Sequence, residues 1–578
     1  MKDRFEPDGE RLYFRASSAD FKKIPGEPIS YWLGLNISGT FNGPKLADLI
    51  ETEGQNKTAN NEKYVRLAWE VSSSAIGKNR RWLPYAKGGD YRKWYGNLQH
   101  VVDWSEEARS HYRKDSSCRL VAENFWYREG ITWTDITSGG TAFRFLPEGA
   151  TFDMSGPTAF FADREEIFKC SALLNSAYTR YLLPVLNPTL HAQLRDIKAI
   201  PQLGLAKNNP RCAEISKSCI DLARADWNAS EVAIDFTSLP LLSAAHRKTS
   251  LSYSYRGIRS QWRETTQAMR HLEEENNRIF IDAYGLQDEL TPDVPLKEVT
   301  LTCNPDYRYG GEKTEEELEA MLLADTMREL VSYAVGCMLG RYSLDKPGLI
   351  LANQGDTLAD YLEQHRLAQV PQPSFPADDD NVIPVLDGDW FADDITLRFR
   401  QFLRVAFGDE QYEDNLVFIE QALNLKGKRN YSLRDYFLGE FYADHVKRYK
   451  KRPIYWLFSS PKGSFNALIY MHRYRPDTVS VVLRYLRDFR KKVADEKDRQ
   501  ASASINPAVS QGDRTRALKE TDRLNKVLAE LDDYERDVLY PKATEQIEID
   551  LDDGVKVNYL KFGVALKKIV GLEAKGED

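Results

Sequence analysis

Between residues 78 and 95, six cations (Lys78, Arg80, Arg81, Lys87, Arg92 and Lys93) stand among five aromatic residues (Trp82, Tyr85, Tyr91, Trp94 and Tyr95), with one acid, Asp90. Guanidinium and ammonium groups neutralise phosphates, and flat rings stack on bases. Gly88, Gly89 and Gly96 would let a backbone approach a ligand closely. Two readings stand: a nucleic-acid contact surface, or a solvated loop whose rings pack inward and whose cations face water. A second basic run, Lys447, Arg448, Lys450, Lys451 and Arg452, lies beside Tyr449 and Tyr455. It reads first as a solvated helix end and second as a DNA clamp.

Other chemical signals are weak. Gly54-Gln-Asn-Lys-Thr has the Lys-Thr end of a phosphate loop, but Asn56 precedes Lys57 where glycine is required. The eight histidines never fall four residues apart, against a helical zinc-protease motif. Asp387, Asp389, Asp393 and Asp394 read as a solvated acidic loop before they read as a cation site. Asn304-Pro-Asp-Tyr307 is close to the Asn-Pro-Pro-aromatic loop with which amino-methyltransferases hold a flipped base. Asp306 breaks that pattern, and no strand with a Gly-x-Gly turn for S-adenosylmethionine precedes it. It is read as non-catalytic. The six cysteines are scattered without a C-x-x-C pair, so no zinc site or disulfide framework is expected, as suits a reducing cytoplasm.

The elements that must position these residues fit an α+β fold. At 578 residues and a net charge of −8, the chain is too long for one core, and its positive charge is local. Residues 1–205 read as a mixed α/β domain, with an alternating strand from Ile131 and a helix from Asp163 to Leu183. Residues 206–375 read as a helical connector with a long helix over 258–284. Val370-Pro-Gln-Pro-Ser marks the next boundary, and residues 376–578 read as a small α+β domain with a charged helical hairpin. The hairpin joins through a flexible loop over 501–510, and Leu524, Val527, Leu531, Tyr534 and Val538 form its apolar stripe. No secretory leader and no membrane-spanning run is evident.

Taken in order, these landmarks resemble one family. They are residues 18–32, 64–71, Pro84-Tyr-Ala-Lys-Gly-Gly-Asp-Tyr-Arg-Lys-Trp-Tyr-Gly-Asn97, 127–133, 187–190 with 196–201, 225–228, 273–281, 284–292, 336–344, 445–449, 451–458 and 467–474. The chain is similar to the C-terminal portion of PglX-type, adenine-specific DNA methyltransferases of BREX phage-defence systems. That resemblance implies a target-recognition domain followed by the regions after it. The S-adenosylmethionine fold and the catalytic loop would lie in an N-terminal half before this portion, so no catalytic, cofactor or metal residue is expected here. Implied partners are double-stranded DNA, a catalytic methyltransferase half and other BREX components, with no membrane, in the cytoplasm. The expected base or phosphate contacts are Lys78, Arg80, Arg81, Lys87, Arg92, Lys93 and Arg144, with Trp94 and Tyr95 shaping the loop. On that reading, charge reversal of Arg92 and Lys93 together abolishes DNA binding and spares the fold. Arg128 beside Glu129 reads as an internal ion pair. Two other classes stay open: a non-enzymatic DNA-binding or scaffold subunit, and an inactive fragment.

Overall fold

The computed structural model describes residues 24–30, 35–52, 54–202 and 209–573, with 22, 33 and 204. Part of the 18–32 motif and the expected boundary at 205 therefore lie outside the described residues.

Ten short strands build three small sheets among many helices, an α+β fold. The strands are β1 (Val65–Leu67), β2 (Trp82–Ala86), β3 (His100–Asp103), β4 (Gly130–Thr132), β5 (Arg144–Leu146), β6 (Thr151–Phe152), β7 (Thr158–Ala159), β8 (Val382–Pro384), β9 (Tyr455–Ser459) and β10 (Asn466–Tyr470). Their orders are β1-β3-β2-β6, β5-β4-β7 and β8-β10-β9. All pairs are antiparallel except β2 with β6. In β2, Trp82, Leu83, Tyr85 and Ala86 are all buried, so the aromatics of the first basic run feed a core on both faces of the strand.

The core does not divide at 205 or 375. One cluster joins Trp94, Trp133 and Phe145 to Ile215 and Cys219 of the helix Pro210–Asn228 and to Phe280 and Leu301. A second joins Leu67 and Trp69 to residues from 233 to 572. The 34-residue helix Leu251–Tyr284, about 50 Å long, links them. Leu251, Tyr255 and Ile258 sit in the second cluster, and Met269, Phe280 and Ile281 in the first. Gly285, at φ 65°, stops this helix in the left-handed conformation that glycine adopts without a Cβ clash.

Three local expectations need correction. The 163–183 helix is two, Arg164–Leu174 and Ala177–Leu186, because Ser176 caps the second by accepting from the Thr179 amide. The proline-rich stretch after Val370 is not outside the core: Phe375 is fully buried and packs edge-on against Phe402, 5.5 Å between centroids. The hairpin's first helix, Thr478–Ile505, runs through the Ala-Ser stretch, leaving a short turn before Gln511–Tyr534. Local helix propensity outweighs a composition that reads as flexible. In the second helix, Leu524, Leu531 and Tyr534 are buried as core.

Of the three histidines buried around the second cluster, His365, His445 and His472, two have strongly lowered affinities for a proton. Burial pushes the His472 imidazole down to about 3 and that of His445 well down, and the Arg341 charge adds to both. A depressed histidine stabilises the folded state above its unfolded pKa, and that stability is lost as pH falls toward the folded value. The urea midpoint should therefore fall between pH 7 and pH 5, reflecting an unfolding free energy that drops by up to about 1.4 kcal/mol per pH unit per histidine below pH 6.5. A midpoint constant over that range would show that these rings are not held neutral.

Candidate nucleic-acid interface

The first basic run splits where β2 ends. Beyond the glycine turn, the chain dives between the sheets and the helical region, and its charges meet acids there. Arg92 donates from Nη2 to Asp226 at 2.7 Å, from Nε to the Tyr95 carbonyl at 2.8 Å and from Nη1 to Thr302 Oγ1 at 2.9 Å. Asp226 also accepts from the Thr302 and Cys303 amides at 2.7 and 2.9 Å. Burial pushes the Asp226 carboxyl up, but Arg92 and these donors outweigh it and hold it below the usual range. Lys93 donates to one oxygen of Glu273 at 2.5 Å, and Trp94 Nε1 to the other at 2.7 Å. Gly96, at φ 135°, is required here, since a Cβ would sit 2.6 Å from Arg92 Nε. The glycine admits the protein's own side chain rather than a ligand.

Arg92, Lys93 and Arg144, expected as base or phosphate contacts, are buried instead, and Trp94 and Tyr95, expected to shape the loop, are buried with them. Arg144 lies under the 92–97 loop, with Nη2 donating to Thr134 Oγ1 at 3.1 Å. Its Nε has no partner, and burial lowers its guanidinium to about 10. Charge reversal at Arg92 and Lys93 would break the fold rather than spare it.

The other cations of the run stay at the surface. Lys78 is 55% exposed and lies 3.9 Å from Glu148. Arg80 is exposed. Lys87 is 3.8 Å from Asp153. Arg81 is a latch, donating to Asp103 at 3.2 Å and to Asp552 at 2.5 Å, beside a 2.6 Å bond from Trp82 Nε1 to Asp552. Arg128 and Glu129 pair with Glu51 and Arg164 rather than with each other.

The second basic run lies near the first, since Lys87 and Lys450 both act on His100. Trp69 Nε1 donates to the Arg452 carbonyl at 3.0 Å, and the Trp69 ring meets Tyr449 edge-on. Burial lowers His100 to about 3, and the Lys450 and Lys87 charges add to that effect. Desolvation also lowers the Lys450 ammonium, partly offset by Asp90 of the first run. The helix Phe441–Arg448 ends with the Lys450 amide donating to the Lys447 carbonyl and the Lys451 amide to the Val446 carbonyl. This is a Schellman ending, whose left-handed position normally holds glycine. Lysine stands there instead, at φ 50°, and Lys451 follows at φ 60°. Each such residue costs on the order of 1 kcal/mol. Sequence reasoning gave this run second place, and the signal it missed was the lysine at a helix stop. Arg448, by contrast, pairs internally with Glu231 at 3.1 Å.

The remaining motifs are structural. Asn304 caps the short helix Pro305–Tyr309 and donates to the Leu296 and Val299 carbonyls, while Tyr307 donates to the Tyr91 carbonyl at 2.5 Å. Asn56 bridges to Thr151 and the Phe152 carbonyl. The acidic loop closes on Arg434, which pairs with Asp389 and Asp394. Sequence reasoning did not group His111, Asp115 and Cys118, whose donor atoms lie within 4.8 Å of one another. Each already has a protein partner: His111 and Asp115 face each other at 3.7 Å, Ser117 donates to Asp115, and the Cys118 thiol donates to the Thr58 carbonyl. No helix among the described residues is long and apolar enough to cross a membrane.

Two known proteins match the chain. It is similar over almost its whole length to adenine-specific methyltransferases. It is 35% identical to adenine-specific methyltransferase BrxX of Escherichia coli O9:H4 (strain HS) over 95% of this chain and 45% of that protein. It is 32% identical to adenine-specific methyltransferase PglX of Lacticaseibacillus casei (strain Zhang) over 97% of this chain and 46% of that protein. The chain thus spans about half the length of these curated relatives. No protein-family model matches it.

Arg92→Ala and Lys93→Ala each leave a buried carboxylate unpaired and should cost about 3–5 kcal/mol in urea unfolding. Lys78→Ala and Arg80→Ala should change stability by no more than about 0.5 kcal/mol. Lys450→Gly relieves the left-handed strain and should gain up to about 1 kcal/mol. A loss of stability in Lys450→Gly would contradict the assigned helix stop.

Proposed function

We propose that the chain is the DNA target-recognition portion of a site-specific N6-adenine DNA methyltransferase acting in BREX phage defence. S-adenosylmethionine and the transfer chemistry would be supplied by a catalytic half outside these residues. The observation that carries this reading is the similarity, over nearly all of the chain, to two proteins described as adenine-specific methyltransferases. The physical division of labour supports it. Methylating one adenine requires extruding it from the stack, whereas choosing that adenine requires contacts to base edges and phosphates around it.

The contact surface we assign runs from Lys78, Arg80 and Lys87 to Lys447 and Lys450, where the two basic runs adjoin. Lys450 is exposed and sits at the strained helix stop. Arg81 and Arg92 are excluded because their guanidinium groups are committed to Asp552 and Asp226.

Duplex binding measured by fluorescence anisotropy should weaken steeply with salt, since each phosphate neutralised releases a counterion. Lys78→Glu with Arg80→Glu and Lys87→Gln, which keeps a neutral polar group beside the buried Asp153, should raise Kd at least tenfold and flatten the salt dependence while the chain stays folded. Wild-type affinity in that triple variant and in Lys447→Glu with Lys450→Glu would sink the assigned surface. Calorimetry with S-adenosylmethionine should show no binding to this chain, and micromolar affinity would overturn the division of labour. Mapping methylated adenines in host DNA with and without the gene separates the reading from a non-enzymatic scaffold. Loss of the marks is expected.

A further inference from the structure

A hollow of about 920 Å³ opens on the far side of the Phe441–Arg448 helix, between the β9–β10 turn, the helical hairpin and residues 567–570. Its volume falls in the range of small-molecule sites, on the order of 300–1,000 Å³. Its two sides differ in chemistry. Its accessible apolar lining comes from the half-buried Trp390, Tyr442, Val446 and Val527, while Phe489, Val493 and Leu524 border it from within the core. The rim carries Lys447, Lys450, Lys451, Lys462, Lys567 and Lys568. None of these six lysines forms an ion pair among the described residues, and Asp387 is the one carboxylate among the lining residues. Arg523 also lines the hollow but is paired with Glu520.

Like charges gathered around one concavity repel each other and raise the local concentration of anions. Among the described residues only Asp387 of the lining and Asp90, which acts on Lys450, oppose this charge, and the fold spends strain to keep part of it. Lys450 and Lys451 are held at φ 50° and 60° on the edge of the hollow, although glycine would end the helix more easily. Ammonium groups on flexible stems suit phosphate oxygens in several arrangements. The apolar wall suits a flat ring: Trp390 and Phe489 meet edge to face at 5.4 Å, leaving an angled aromatic corner.

Other occupants fit less well. An extended peptide would add to the free edge of β9, but residues 566 and 567 already lie there. Phe458 bridges to Leu566, and the Lys567 amide donates to the Leu457 carbonyl at 2.8 Å. A DNA duplex does not enter a hollow of this volume, and it offers phosphates without an accessible ring.

We propose that this hollow binds a nucleoside polyphosphate, with its base on the apolar wall and its phosphates on the lysine rim. The hollow shares Lys447 and Lys450 with the DNA surface assigned above, but Lys462, Lys567 and Lys568 lie outside that surface and test the inference separately.

Titration calorimetry of the full chain with ADP, adenosine and tripolyphosphate tests it. ADP should bind with micromolar Kd, and adenosine and tripolyphosphate each at least tenfold more weakly. Lys462 and Lys568 are both exposed. Lys462→Glu with Lys568→Glu should therefore weaken ADP at least tenfold without lowering Tm. Three results would overturn the proposal: no ADP binding up to millimolar concentration, wild-type affinity in that double variant, or tripolyphosphate binding as tightly as ADP. The Lys78, Arg80 and Lys87 variant changes no residue of the hollow, so failure of DNA binding and failure of nucleotide binding are read separately.

Discussion

Glu273, in the middle of a 34-residue helix, accepts from the Lys93 ammonium and the Trp94 indole at once. Asp226 does the same work on the neighbouring helix for Arg92 and two backbone amides. A charge taken out of water must find a charge and enough donors to replace its solvation. These two carboxylates meet that demand for Arg92 and Lys93. Everything else about the surface follows, because they determine which cations are left facing solvent.

The two basic runs have opposite histories in the fold. The first begins as a solvent-facing turn and becomes an interior strap, and its aromatic residues build the core that hides its own arginines. The second begins as a helix and ends outside the core, turned by two left-handed lysines. Where they adjoin, positive charge from both bears on His100. Cationic surface here is thus a product of tertiary packing between segments more than 350 residues apart, rather than of either run alone.

Much of the fold was legible in the sequence. The α+β class, the long helix, the paired strands near Trp456 and the hairpin stripe all follow from periodicity and turn residues. The site was legible only in part. Arg92 and Arg80 look alike in a window of neighbours, and what separates them is Asp226, 134 positions away. Local composition carries no information about such a partner. Composition also misplaced Phe375, whose proline-rich neighbours suggest a linker although its ring packs on Phe402. The resemblance seen through scattered motifs fared better, since it sums weak signals over the whole chain, and the identity to two adenine-specific methyltransferases extends as far.

The core clusters that run past residue 205 bear on whether the N-terminal part of the chain could be exchanged as a unit. A recognition module that packed only on itself could be exchanged by recombination at its linker. Here one hydrophobic cluster holds Trp94 and Trp133 together with Ile215 and Phe280. A graft cut at residue 205 would carry Arg92 and Lys93 into a new host while leaving Asp226 and Glu273 behind. A transplanted segment would have to bring its helical abutment with it, whereas its exposed side chains could change one at a time.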